Sequence, residues 1–289
     1  MEIRKAVVPA AGWGTRFLPA TKAIPKEMLP LVDKPLIQYV VEEAVSSGIE
    51  QIIIVISSAK SAIQDHFNRS MELERTLEQK GEERPLEEVR RIAGLANIHY
   101  VRQKEQLGLG DAILATREIV GDEPFAVLLP DDIFDAEVPI LKQMLEVYRR
   151  YSGSVIALWR VAEEGTRRYG IVKPKEMENK VYQVLDVVEK PGPQNAPSNL
   201  AILGRYILTP EIFSALEVTP MGKGGEIQLT DGLALLLKQQ AIYGCEFEGT
   251  YYDAGKPLSL LKAAVALALK HPEMSADLKE HLKRLIANL

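Results

Sequence analysis

The sequence predicts an α/β fold in which helices flank a mixed, mainly parallel sheet. Three observations lead to it. Gln51–Ser57 contains Ile-Ile-Ile-Val-Ile, an unbroken apolar run of the kind buried on both faces of a parallel sheet. Ahead of it, a short apolar strand and an amphipathic helix complete a strand–helix–strand unit. Beyond it, the first half keeps alternating β and α, whereas the second half mixes strands and helices.

Element by element, Ile3–Pro9 reads as the first buried strand and Ala10 to about Pro30 as a loop. Pro35–Gly48 is a helix, with Leu36, Val40, Ala44 and Val45 as its apolar stripe and Gly48 as its stop. Ala59–Gly94 is a charge-rich helical stretch broken near Gly81 and Pro85. Its Ile63, Phe67 and Met71 share one face, which packs on its own domain or meets another subunit. Asn97–Gln103 and Pro124–Pro130 are strands, separated by a helix at Gly108–Arg117, and the second runs straight into Asp131-Asp132. Pro139–Tyr151 is helical. Ser154–Val161, Val181–Glu189 and Leu200–Leu208 are strands, Pro210–Leu216 and Ile227–Gln240 helices, and Ala241–Phe247 a strand. Lys256–Lys270 and Ser275–Leu289 are closing helices. No long linker, repeat or low-complexity stretch divides the chain, so 1–289 reads as a single domain. Within it, about 1–135 binds nucleotide, about 136–260 completes a second substrate site, and about 256–289 forms the C-terminal helices.

Composition narrows the function. The net charge of −5 argues against a nucleic-acid binder, which grips phosphates through a basic face. One segment departs from that balance: Arg4, Lys5, Arg16, Lys22, Lys26 and Lys34 face only Glu27 and Asp33. A basic segment in an acidic chain suits a small polyanion such as a nucleotide, or is a solvated surface. Cys245 is the single cysteine, so no intrachain disulfide and no cysteine zinc cluster is expected, which fits a reducing cytosol. The apolar run that ends at Pro9 is too short for a secretion signal, and no run approaches a membrane span. The expectation is a cytoplasmic protein without a membrane or nucleic-acid partner.

The most informative segment is the loop Ala10-Ala11-Gly12-Trp13-Gly14-Thr15-Arg16-Phe17-Leu18-Pro19. It follows a strand, where open α/β sheets bind ligands, and its glycines let backbone N–H groups approach phosphates. A dinucleotide fingerprint would need a third Gly where Phe17 stands, and a P-loop would need Gly-Lys-Ser/Thr, which is absent. What remains is Gly-x-Gly-Thr-Arg followed by Pro25-Lys26-Glu27-Met28-Leu29-Pro30. Arg16 offers a planar fork for two phosphate oxygens and Lys26 a compact charge. Gly-x-Gly alone would be an ordinary turn; the added Thr-Arg and spaced Lys point to a nucleoside triphosphate.

Here the sequence resembles the sugar-1-phosphate nucleotidylyltransferases. The string Pro-Ala-Ala-Gly-x-Gly-Thr-Arg-Phe-Leu-Pro-Ala-Thr-Lys-Ala-x-Pro-Lys-Glu-Met-Leu-Pro is similar to their bacterial UTP–glucose-1-phosphate uridylyltransferase branch; thymidylyltransferases typically carry Gln where Glu27 stands. The resemblance runs from about residue 5 to 265. It implies a Rossmann-like, glycosyltransferase-A-like fold and formation of UDP-glucose and pyrophosphate from UTP and glucose 1-phosphate, with Mg²⁺. Thymidylyl transfer to glucose 1-phosphate, or a non-catalytic UDP-sugar-binding regulator, are the alternatives. It also implies a homodimer or homotetramer.

Site residues carry over one motif at a time. Ala10, Ala11, Gly12, Gly14, Thr15, Arg16, Lys26 and Glu27 would bind the nucleotide. Gln103 and Gly108 would take the uracil, since a side-chain amide both donates and accepts. Asp111 stands where many uridylyltransferases have His. Asp131 and Asp253, the latter in Tyr252-Asp253-Ala254-Gly255, would hold the metal, with Asp132 a neighbour. Gly170, Glu189 and Lys190, in Tyr169-Gly170-Ile171-Val172 and Val188-Glu189-Lys190-Pro191, would bind the sugar phosphate. Arg16, Lys26, Lys190 and Asp131 are the expected catalytic set. Glu226 and Asp231 are read as serving the start of a helix, and Gly204-Arg205-Tyr206 as packing.

Overall fold

The computed structural model describes residues 2–58 and 60–287, and for Lys223 the backbone alone. Of the expected helical stretches, Ala59, Asn288 and Leu289 lie outside the described residues. Strand β1 (Lys5–Pro9) opens into single 3₁₀ turns at Thr15–Phe17, Ala20–Lys22 and Lys26–Met28, then a ribbon of β2 (Pro30–Leu31) and β3 (Lys34–Pro35). Next come α1 (Leu36–Ser46), β4 (Gln51–Ile56), α2 (Ser61–Phe67), α3 (Met71–Lys80), α4 (Glu83–Ala93) and β5 (Asn97–Arg102). After α5 (Leu109–Leu114) and α6 (Arg117–Val120) lie β6 (Phe125–Leu128), β7 (Asp132–Asp135), α7 (Ile140–Tyr151) and β8 (Ser154–Arg160). The remainder is β9 (Gly170–Glu178), β10 (Val181–Glu189), β11 (Leu200–Leu208), α8 (Glu211–Glu217), α9 (Leu229–Leu236), β12 (Ile242–Glu246), β13 (Thr250–Asp253), α10 (Pro257–Ala268) and α11 (Ser275–Ala287).

Among the described residues, nine strands form one sheet in the order β5-β4-β1-β6-β11-β8-β12-β10-β9. Only β11 and β10 run against the rest, as their antiparallel pairings require. The Ile run of β4 is explained by alternation. Ile52 and Ile54 join the same core cluster as Val40 and Val41 of α1 on one face, while Ile53 and Val55 join that of Ile113 of α5 on the other. Helices on both faces leave this strand no wet side, so nothing polar interrupts it.

Several expectations are corrected. Pro85 does not break a helix: it sits in the first turn of α4, where a missing N–H leaves no bond unmade. The expected break at Gly81 stands between α3 and α4, and a second falls between Phe67 and Met71, so Ile63 and Phe67 are buried while Met71 is 52% exposed. The expected helix at Gly108–Arg117 is split into α5 and α6, and the one at Ile227–Gln240 shortens to α9. Strands β7, β9 and β13 were not expected. The first and last pair with each other, matching Asp253 to Asp132 across the chain. That ribbon carries the second expected metal carboxylate to the first.

Candidate active site

The carboxyl ends of neighbouring parallel strands build the site. β1 pairs with β6, Ala6 opposite Ala126, so the glycine loop after Pro9 and the Leu129–Asp131 segment emerge side by side. β5 adds Gln103, whose backbone N–H bonds to Ile56 at 3.0 Å. Between these ends lies a cleft of about 390 Å³. Ala11, Gly12, Gly14, Thr15, Lys26, Glu27, Gln103, Gly108 and Asp131 line it. Ala10 lies fully buried, with its N–H committed to Val55 at 2.8 Å, so it supports the loop and offers the cleft no surface.

Gly14 shows why the loop needs glycine. Its φ is +66°, and a Cβ there would come within 3.0 Å of the Lys26 Cβ. The two parts of the N-terminal signature therefore touch. Lys26 Nζ donates to Asp131 Oδ2 at 2.6 Å. Burial alone would lower the Lys26 pKa, but the Asp131 and Glu27 carboxylates outweigh it and hold it above its ordinary value. Desolvation likewise pushes Asp131 up, yet Lys26 and, more weakly, Arg16 hold its carboxyl below the usual range. Glu27 sits behind, paired to Lys60 at 2.7 Å, with its Oε1 buried and without a hydrogen-bond partner. Burial pushes Glu27 up and Lys60 down, against their mutual attraction.

Gly255 marks the meeting point of Arg16, Asp131 and Asp253, with Lys26 held to Asp131. A Cβ on it would lie 3.1 Å from Asp131 Oδ2, 3.1 Å from Asp253 Oδ1 and 3.7 Å from an Arg16 guanidinium nitrogen. Asp253 Oδ1 accepts the Gly255 N–H at 2.9 Å, and its other oxygen accepts from Arg168. Asp132 is turned elsewhere. Its Oδ1 accepts from the Tyr251 hydroxyl at 2.6 Å, and its Oδ2 fills the space a Cβ on Gly204 would need. Burial beside the charge of Asp131 pushes the Asp132 carboxyl up to about 7. Two facing carboxylates suit Mg²⁺, a hard cation commonly held by one or two carboxylates plus substrate phosphates. Among the described residues, no cluster of three or more His, Cys, Asp or Glu competes as a metal site.

The residues expected to bind the sugar phosphate gather at the β9–β10 hairpin, where Gly170 opposes Glu189. Glu189 accepts from the Thr230 hydroxyl at 2.7 Å and pairs with Lys190 at 2.6 Å. Lys190 adopts φ +45°, a conformation disfavoured for a side-chain-bearing residue, and its N–H bonds to Tyr169 at 3.2 Å. The adjacent Arg168 reaches Asp253, tying this hairpin to the carboxylates.

The sequence reading missed Arg168, Thr230, Lys60 and the Arg205–Glu43 pair. Arg168 immediately precedes Tyr169-Gly170, and Thr230 lies inside Gln228-Leu229-Thr230-Asp231, so proximity to motifs was the available signal. Arg205 is 1% exposed and donates to Glu43, to the Leu129, Gly204 and Asp132 carbonyls, and stacks over Phe134. It clamps the segment that bears Asp131. Glu226 is a correction: α9 begins at Leu229, so Glu226 lies outside it and lines the cleft. Asp231 does lie in the first turn of α9.

A glycine-lined cleft at parallel strand ends, with paired cations and two converging carboxylates, defines a class of phosphate-transferring enzyme. Residues 5–270 match the Nucleotidyl transferase family, and the chain belongs to it. Among its relatives, the UTP–glucose-1-phosphate uridylyltransferase of Staphylococcus epidermidis is 54% identical over 98% of this chain and 99% of its own length. That of Bacillus subtilis is 53% identical over 99% and 98%. A UDP-glucose pyrophosphorylase complexed with UDP-glucose superposes with a TM-score of 0.87 at 44% identity, covering 93% of this chain and all of that one. The UTP-bound UGPase from Acinetobacter baumannii gives 0.90 at 42% identity, with both chains fully covered.

Proposed function

We propose that the chain forms UDP-glucose and pyrophosphate from UTP and glucose 1-phosphate. The observation that carries this is the convergence of Arg16, Lys26, Asp131 and Asp253 at the mouth of the glycine-lined cleft. The attacking phosphate oxygen is already ionised at neutral pH, so no general base is required. A new bond forms from that oxygen to the α-phosphorus as the α–β bridging bond breaks in line.

Catalysis then rests on positioning and charge neutralisation. Arg16 takes the β- and γ-phosphates, Lys26 the α-phosphate, and Lys190 the incoming sugar phosphate. Glu189 and the Gly170 N–H hold sugar hydroxyls, while Gln103 and Gly108 hold the uracil. Asp131 and Asp253 are the residues that would hold Mg²⁺, which supplies further neutralisation of the reacting phosphates. Lys26 and Arg168, which pair with those carboxylates here, offset their charge and keep them oriented. We also place the protein in the cytoplasm, supported by its lone cysteine, and as a homodimer or homotetramer, by resemblance.

Pyrophosphate release from a panel of nucleoside triphosphates and sugar phosphates tests the reading. UTP with glucose 1-phosphate should be the fastest pair. No release from that pair in Mg²⁺ would rule it out.

A further inference from the structure

Gln103 is 5% exposed and lines the cleft. Its Nε2 lies 2.6 Å from Asp111 Oδ2 and 3.3 Å from the Gly108 carbonyl oxygen. An amide nitrogen carries two N–H groups, and both are turned back into the loop. An ionised carboxylate accepts and cannot donate, so it admits one orientation of the amide. An imidazole at that position could do either. The carbonyl Oε1 is then the end of Gln103 left for a ligand.

We propose that Asp111 is a positioning residue that sets base selectivity, by fixing Gln103 so that it offers the base an acceptor. This rests on the reading of the cleft as a nucleotide site. A base with a donor at N3, as in uracil and thymine, satisfies Oε1. Cytosine presents an acceptor at N3, so two lone pairs would face each other with no donor between them. Uracil and thymine share the N3 donor, so Asp111 does not separate them.

Asp111→Asn tests this. The replacement is isosteric, but its amide donates as readily as it accepts, and Gln103 becomes free to turn over. The assay is kcat/KM for UTP, CTP and dTTP with glucose 1-phosphate, together with inhibition of UTP turnover by CTP. The preference for UTP over CTP should fall by about tenfold or more, because a site built around one hydrogen bond loses its discrimination when that bond can reverse. The preference for UTP over dTTP should stay within about twofold, since both bases carry the same N3 donor. Asp111→Ala, which removes the acceptor altogether, should shift the preferences in the same direction. An unchanged preference for UTP over CTP in both variants would overturn the proposal and leave the cleft assignment standing. So would both preferences falling together, the signature of a merely loosened loop. A wild-type protein that releases no pyrophosphate from UTP would overturn the cleft assignment and this proposal with it.

Discussion

The proposed nucleotide half of the site and the proposed sugar-phosphate half are built differently. The first takes its groups from the ends of β1, β6 and β5, adjacent or nearly so in the sheet, and from one loop. Lys26 and Asp131, the pair at its centre, have side chains 20% and 26% exposed. The second hangs on a hairpin at the far edge, where Lys190 and Arg168 are 45% and 44% exposed. Charges in the first half act through a less polarisable medium, whereas water screens those in the second. The β7–β13 ribbon joins the halves by setting Asp253 beside Asp132. Equal changes of charge should therefore cost more on the nucleotide side.

The largest effect should come from Asp131→Asn. Removing a half-buried carboxylate that faces the reacting phosphates should lower kcat by about 1,000-fold in saturating Mg²⁺, with the KM for UTP moving only a few-fold. Steady-state pyrophosphate release checks it, and turnover near wild type would detach Asp131 from the chemistry. Next in size is Arg205→Leu, which strands Glu43 beneath the ribbon. Breaking a buried pair from one side costs about 3–5 kcal/mol, measurable by urea unfolding. Replacing Glu43 with Leu as well should recover part of it, and a loss under about 1 kcal/mol in the single variant would contradict the clamp. Smallest is Lys190→Ala, where solvent already screens the charge. The KM for glucose 1-phosphate should rise by about tenfold while that for UTP holds. A weakened UTP response with glucose 1-phosphate unchanged would reverse the assignment of the two halves.

The same contrast explains what the sequence could reveal. The nucleotide half is written in one stretch, Pro9 to Pro30, and its glycine and cation spacing has a chemical meaning on its own. The buried strands β4 and β11 were legible because their apolar runs need both faces covered. Strand β9 was not, because beyond Val172 it continues as Lys173-Pro174-Lys175-Glu176 at the sheet edge, with no alternation to read and a proline that edge strands tolerate. β7 and β13 are four residues each and exist through their mutual pairing, which no local pattern encodes. Arg205 was read as packing, and it is buried. Its polar role depends on Glu43 and on carbonyls that only the fold brings within reach.

A double-mutant cycle on pyrophosphate release, with Asp131→Asn, Asp253→Asn and both together, probes the convergence of the two acids most directly. Groups that serve one centre lose their function once, so the double variant should be no more than a few-fold slower than the worse single one. Losses that multiply would mean that Asp131 and Asp253 act at separate places, and the single site described around Gly255 would be wrong.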